Sequence, residues 1–130
     1  MIVVDASALL ETLLQTPAAK TVSERLFNSR QSLYAPHLID IEVAQIIRRL
    51  AAKGEIETER GRAALVDLAD FPLTRHPHHF LLPRIWALRN NVTAYDAAYV
   101  ALAEALDAPL LTRDRRLAAA PGHHAQIEVF

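Results

Sequence analysis

Short apolar runs alternate along the chain with longer segments in which apolar residues recur at helical spacing. Ile2-Val3-Val4 and Leu110-Leu111-Thr112 have the continuous apolar character of strands buried on both faces. Leu33-Tyr34-Ala35 is a third strand stopping at Pro36, Phe71 to Arg75 a fourth, and Ile127-Glu128-Val129 the last. Helices are predicted over Ala6 to Leu14, Ala18 to Asn28, Leu38 to Lys53, Thr58 to Ala69, Phe80 to Arg89, Ala94 to Leu106 and Arg115 to Ala119. Gly54 stands where the third should stop, and Thr58 fits the N-cap of the fourth. Strands separated by helices predict βαβ units, hence an α/β fold whose parallel sheet carries helices on both faces. Such sheets place their ligands at the carboxyl ends of the strands, beside the switch in strand order.

With 130 residues the chain is expected to form a single domain, 1–130. A content of 52% hydrophobic and 22% charged residues excludes disorder, and the absence of cysteine excludes disulfides and zinc–thiolate sites. Fourteen Lys+Arg against fifteen Asp+Glu argue against a polyanion binder that works by bulk positive charge. Neither a basic leader nor an apolar run near the ~18 residues of a membrane span is present. A cytoplasmic location, with no membrane partner, is expected.

Four acidic positions stand out against this background. Asp5 directly follows the first strand, and Asp114 follows the run Leu110-Leu111-Thr112; each could simply cap the helix that comes next. Asp96, in Thr93-Ala94-Tyr95-Asp96, opens a helix that is apolar nearly all round, so its charge needs a helix dipole, a cation or a metal. Glu42 lies at one edge of the apolar arc of its helix and Asp40 nearer the other side, so periodicity alone does not choose between them. Carboxylates gathered at one sheet edge repel unless a divalent cation sits among them, and all-oxygen donors favour Mg²⁺ or Mn²⁺ over Zn²⁺.

The chain resembles the PIN-domain ribonucleases, and within them the VapC-type toxins of bacterial toxin–antitoxin pairs. The resemblance rests on Val3-Val4-Asp5-Ala6-Ser7-Ala8-Leu9, on Ala35-Pro36-His37-Leu38 through Glu42-Val43, on Leu88 through Ala103, and on Leu110-Leu111-Thr112-Arg113-Asp114. It implies a five-stranded parallel sheet in the order 3-2-1-4-5 and an acidic quartet at Asp5, Glu42, Asp96 and Asp114. It also implies hydroxyl support from Ser7 and Thr112, a homodimer, and a cognate VapB-type antitoxin. The implied activity is metal-dependent endoribonuclease cleavage leaving 5′-phosphate and 3′-hydroxyl ends. Asp5, Asp96 and Asp114 would hold Mg²⁺ or Mn²⁺, while Glu42 completes the site or deprotonates the attacking water.

RNA contact by this slightly acidic chain is expected from Arg84, Arg89, Arg113, Arg115 and Arg116, whose guanidinium groups suit phosphates. His76, His78, His79, His123 and His124 read as surface loops, Trp86 and Tyr99 as core, and Tyr95 as a position where a base could stack. A phosphoacceptor receiver domain is disfavoured, since one acid follows the first strand and lysine occurs only at 20 and 53. A nuclease of RNA maturation, or a catalytically silent binding module, would have the same fold as the toxin.

Overall fold

A computed structural model of the chain describes residues 1–28 and 30–130. Its five strands are β1 (Ile2–Val4), β2 (Leu33–Pro36), β3 (Thr74–His76), β4 (Leu110–Thr112) and β5 (Ile127–Val129). All neighbours pair in parallel, in the order β3-β2-β1-β4-β5, as the resemblance implied. The order reverses at β1, which bonds β2 on one side and β4 on the other. Ile2, Val3 and Val4 are fully buried, so side chains of both orientations along β1 are covered, as a central parallel strand requires.

Among the described residues seven helices connect the strands: α1 (Ala6–Leu13), α2 (Ala19–Phe27), α3 (Ile39–Ala52), α4 (Thr58–Asp70), α5 (Leu82–Ala87), α6 (Ala94–Leu106) and α7 (Arg115–Ala119). Helix α6 lies against β1, β2 and β4, while α1 packs on α2, α3 and α4. The apolar circumference of α6 explains its place: every residue from Ala97 to Ala103 is buried. Its small side chains let helix and sheet approach closely. Ile39, Val43 and Ile47 are the buried stripe of α3, at the spacing the periodicity predicts.

Several boundaries differ from the sequence expectation for local reasons. The strand expected over Phe71 to Arg75 begins at Thr74, because Pro72 cannot donate to a ladder and the Leu73 N–H turns back to the Phe71 carbonyl at 2.7 Å. The segment from Phe80 to Arg89 divides into a 3₁₀ turn, His79–Leu81, and the six-residue α5, with Pro83 in its first turn. Glu57 occupies the N-cap of α4 without a side-chain bond, which puts Thr58 inside the helix. Among the described residues no helix is long and apolar enough to cross a membrane.

Candidate active site

The switch at β1 brings the ends of β1 and β4 side by side, and an acid follows each. Asp5 is both N-cap and site residue. Its Oδ1 accepts from the Ala8 N–H (3.1 Å) and the Ser7 hydroxyl (2.6 Å), and its Oδ2 accepts from the Thr112 hydroxyl (2.5 Å). Asp114 caps α7 by accepting from the Arg116 and Leu117 N–H groups, and its own N–H donates to Thr112 Oγ1 at 3.0 Å. Thr112 is fully buried, and its one hydroxyl therefore ties the two strand-end acids together. The capping interpretation of Asp5 and Asp114 is correct and does not compete with a role in the site.

Asp96 stands in the first turn of α6, whose N-cap Thr93 accepts the Asp96 N–H at 3.2 Å. Glu42, on the first turn of α3, accepts at Oε1 from the Tyr99 hydroxyl, 2.6 Å away. Burial raises the pKa of Asp5, with the Ser7 and Thr112 hydroxyls pulling it back. Burial also raises Glu42, and the charges of Asp96 and Asp5 push the same way against Tyr99. Asp96 is raised by burial and then by the charges of Asp114 and Asp5. The structure thus brings Glu42 within reach of the charges of Asp96 and Asp5, and Asp96 within reach of those of Asp114 and Asp5. Asp96 and Asp114 face a groove of about 510 Å³ lined also by Arg89, Asn91, Thr93 and Arg116.

The choice left open by helical periodicity is settled by a distant residue. Arg75 on β3 donates to both oxygens of Asp40 at 2.8–2.9 Å, which engages Asp40 in an ion pair of its own. Glu42 is the acid of α3 that faces the others. Tyr99, expected as core, is 2% exposed and also holds Glu42, a role that apolar spacing could not reveal. Burial and the neighbouring acids drive its pKa far above the ordinary phenol value, so it remains a donor.

The arginines separate into different classes. Arg84 does not reach the groove: it makes a two-pronged pair with Glu104 at 2.9 Å and donates to the Gly122 carbonyl at 3.1 Å. Arg113 is bonded to Glu11. Arg89 and Arg116 line the groove, with Arg89 stacked 4.5 Å over the Trp86 ring. Arg115 is exposed at the start of α7. Trp86 is 68% exposed, against the expectation of core, because Leu81 and Leu88 take the buried positions beside α5. His76 is part of β3 instead of a loop, and its Nδ1 is buried without a partner, as is that of His78.

Among the described residues no three acidic or histidine side chains converge on one ion-sized point. The donor set nevertheless fits a hard divalent cation. Its members are all carboxylates, and partial burial raises the pKa of three of them, Asp5, Glu42 and Asp96. Mg²⁺ keeps most of its waters and needs only one or two carboxylates directly, the others acting through water.

The PIN domain family matches residues 2–122. Ribonuclease VapC1 of Mycobacterium tuberculosis is 48% identical over 128 residues, which is 98% of this chain and 96% of the relative. Ribonuclease VapC9 of the same organism is 45% identical over 117 residues, 90% of this chain and 88% of the relative. In structure, VapBC2 of Rickettsia felis, solved with a DNA fragment from its promoter, matches with a TM-score of 0.71 over 99% of this chain and 98% of that one. Its identity of 12% makes this a likeness of fold. The chain belongs to the PIN-domain family, in the group of the VapC proteins.

Proposed function

We propose that the protein is an endoribonuclease that hydrolyses RNA phosphodiester bonds at this groove, as the toxin of a toxin–antitoxin pair. The observation that carries the proposal is the gathering of Asp5, Glu42, Asp96 and Asp114 at the carboxyl edge of the sheet, where Glu42 feels the charges of Asp96 and Asp5, and Asp96 those of Asp114 and Asp5. The names of the two ribonuclease relatives support RNA as substrate.

Asp5, Asp96 and Asp114 are the residues to hold Mg²⁺ or Mn²⁺. A bound divalent cation would acidify the attacking water and offset charge on the phosphoryl oxygens. Glu42 is the proton acceptor. Its Oε1 is fixed by Tyr99, and its burial makes it a stronger base than an exposed glutamate. Ser7 and Thr112 fix both oxygens of Asp5 and leave its position independent of side-chain rotation. Arg89 and Arg116, at the groove wall, offer guanidinium donors to the RNA backbone.

A VapB-type antitoxin is the partner this function requires. A homodimer is supported by the exposed apolar side chains Ile41, Phe80, Leu82, Trp86 and Tyr95, which a second copy would cover. The test of the catalytic proposal is cleavage of RNA by the purified protein with Mg²⁺, with Mn²⁺ and with chelator. Wild type should cut only with a divalent ion, and Asp5→Asn should not cut. Full metal-dependent cleavage by Asp5→Asn would overturn it.

A further inference from the structure

Glu11 is 6% exposed, although it stands in α1 among apolar residues. A buried carboxylate needs a partner in its charged form. Glu11 has two: the Thr16 hydroxyl donates to Oε2 and the Arg113 guanidinium to Oε1. Arg113 lies between the two residues that define the end of β4 at the site, Thr112 and Asp114. Its backbone N–H also donates to Ser7 Oγ at 2.9 Å, and Ser7 donates to Asp5.

Residues 112–114 are therefore joined to the Asp5–α1 corner at three points. Thr112 bonds Asp5, the Arg113 backbone bonds Ser7, and the Arg113 side chain bonds Glu11. The first two are single hydroxyl bonds. The third is an ion pair whose acid end is shielded from water, which weakens solvent competition relative to a surface pair. Its other ties run to β5 and α7: the Phe130 N–H donates to the Thr112 carbonyl, and the exposed Asp114 caps the five-residue α7, of which Leu117 alone is buried.

We propose that Glu11 and Arg113 are a positioning pair that sets Asp114 at its place beside Asp5. Arg113 serves the reaction through this pair and not by touching RNA phosphates. The proposal rests on the nuclease function above. It removes Arg113 from the expected RNA contacts and gives a role to Glu11, which nothing in the sequence distinguished from an ordinary helix acid.

Glu11→Gln keeps the shape and an acceptor but removes the charge, and Arg113→Gln removes the cation. Hydrogen exchange at the Arg113 and Asp114 amides reports the segment directly, without catalysis. In both variants these amides should exchange about tenfold faster than in wild type while those of β1 are unchanged. On an RNA oligonucleotide kcat should fall about tenfold with KM and the salt slope of binding unchanged, and the double variant should be no worse than the more affected single one. Arg113→Lys can still reach Glu11 with a charged donor and should recover both protection and kcat. The proposal is overturned if Glu11→Gln leaves exchange and kcat as in wild type. It is equally overturned if Arg113→Gln acts by raising KM and flattening the salt slope, or if Arg113→Lys recovers neither readout. Absence of RNA cleavage by wild type would instead refute the nuclease function, and the exchange rates would still decide the pair.

Discussion

Replacing Tyr99 by Phe removes one hydroxyl from the interior and changes little else. That hydroxyl is 2.6 Å from Glu42 Oε1, and the ring around it is 2% exposed, so Phe fills the same space without a cavity. A hydrogen bond to a charged group contributes about 1.5–3 kcal/mol. Glu42 is half-buried and water can partly replace the lost donor, so the lower end applies, about 1.5 kcal/mol or roughly tenfold in an equilibrium. The loss falls on the ionised form of Glu42, because only the carboxylate accepts strongly from the phenol. Glu42 should therefore hold its proton to higher pH, and the acid limb of the pH–rate profile should move toward alkaline pH. At neutral pH the variant should be slower by up to about tenfold, and at higher pH it should approach the wild-type rate. Glu42→Gln should show no such recovery. The assay is single-turnover cleavage of a labelled RNA across pH at saturating divalent ion. An acid limb in the same place as wild type, or a loss in Tyr99→Phe that persists at high pH, would refute Glu42 as the proton acceptor held by Tyr99.

Folding stability without metal should depend on pH with a definite sign. Asp5, Glu42 and Asp96 have folded-state pKa values above their unfolded ones, so their contribution is full below the ordinary carboxylate range and is lost as pH rises through the raised values. Glu104 is lowered, its burial outweighed by Arg84 and the His124 N–H, and Glu128 is lowered by Arg25; these two lose their contribution only as pH falls below that range. Thermal melts in chelator should give a higher Tm near about pH 5 than at about pH 8, and Asp5→Asn should flatten the difference; a Tm that climbs across this interval would contradict it. Neutralising Arg116 should reduce the salt slope of RNA binding by about 0.7, the single-strand value per phosphate contact, whereas Arg84→Gln should lower Tm and leave the slope alone. Gly122 has φ +92°, and a Cβ there would come within 2.3 Å of the Asn91 amide at the groove, so Gly122→Ala should cost about 1–3 kcal/mol in denaturant melts. Asp40→Asn should lower stability by no more than about 1 kcal/mol for its partly exposed pair with Arg75 and leave cleavage intact.

Parallel pairing was legible because short apolar runs alternate with helical segments along the sequence, whereas the sheet order and the acidic quartet came from the family resemblance and not from local pattern. Short apolar runs mark β1 and β4, and an acid follows each. The apolar girth of α6 also told its burial correctly. What the sequence left open depended on contacts between distant residues. Arg75 decides that Asp40 is a paired structural acid, 35 positions away along the chain. Arg84 is bonded to Glu104, 20 positions away, and Arg113 to Glu11, 102 positions away, pairings that no local pattern announces. Trp86 shows the other limit: helical spacing identifies residues that share a face, but not whether anything covers that face. The expectation against nucleic acid drawn from a net charge of −1 fails for a related reason. The formal sum counts acids that are gathered at one point, where a cation would offset them, while Arg89 and Arg116 stand on the groove wall.

That this acidic groove cuts RNA can be checked inside cells by mapping 5′-phosphate ends across cellular RNA after expression of wild type and of Asp96→Asn. Wild type should create a defined set of new ends that is missing with Asp96→Asn, although both proteins accumulate and fold. Identical end profiles for the two would contradict cleavage at this groove.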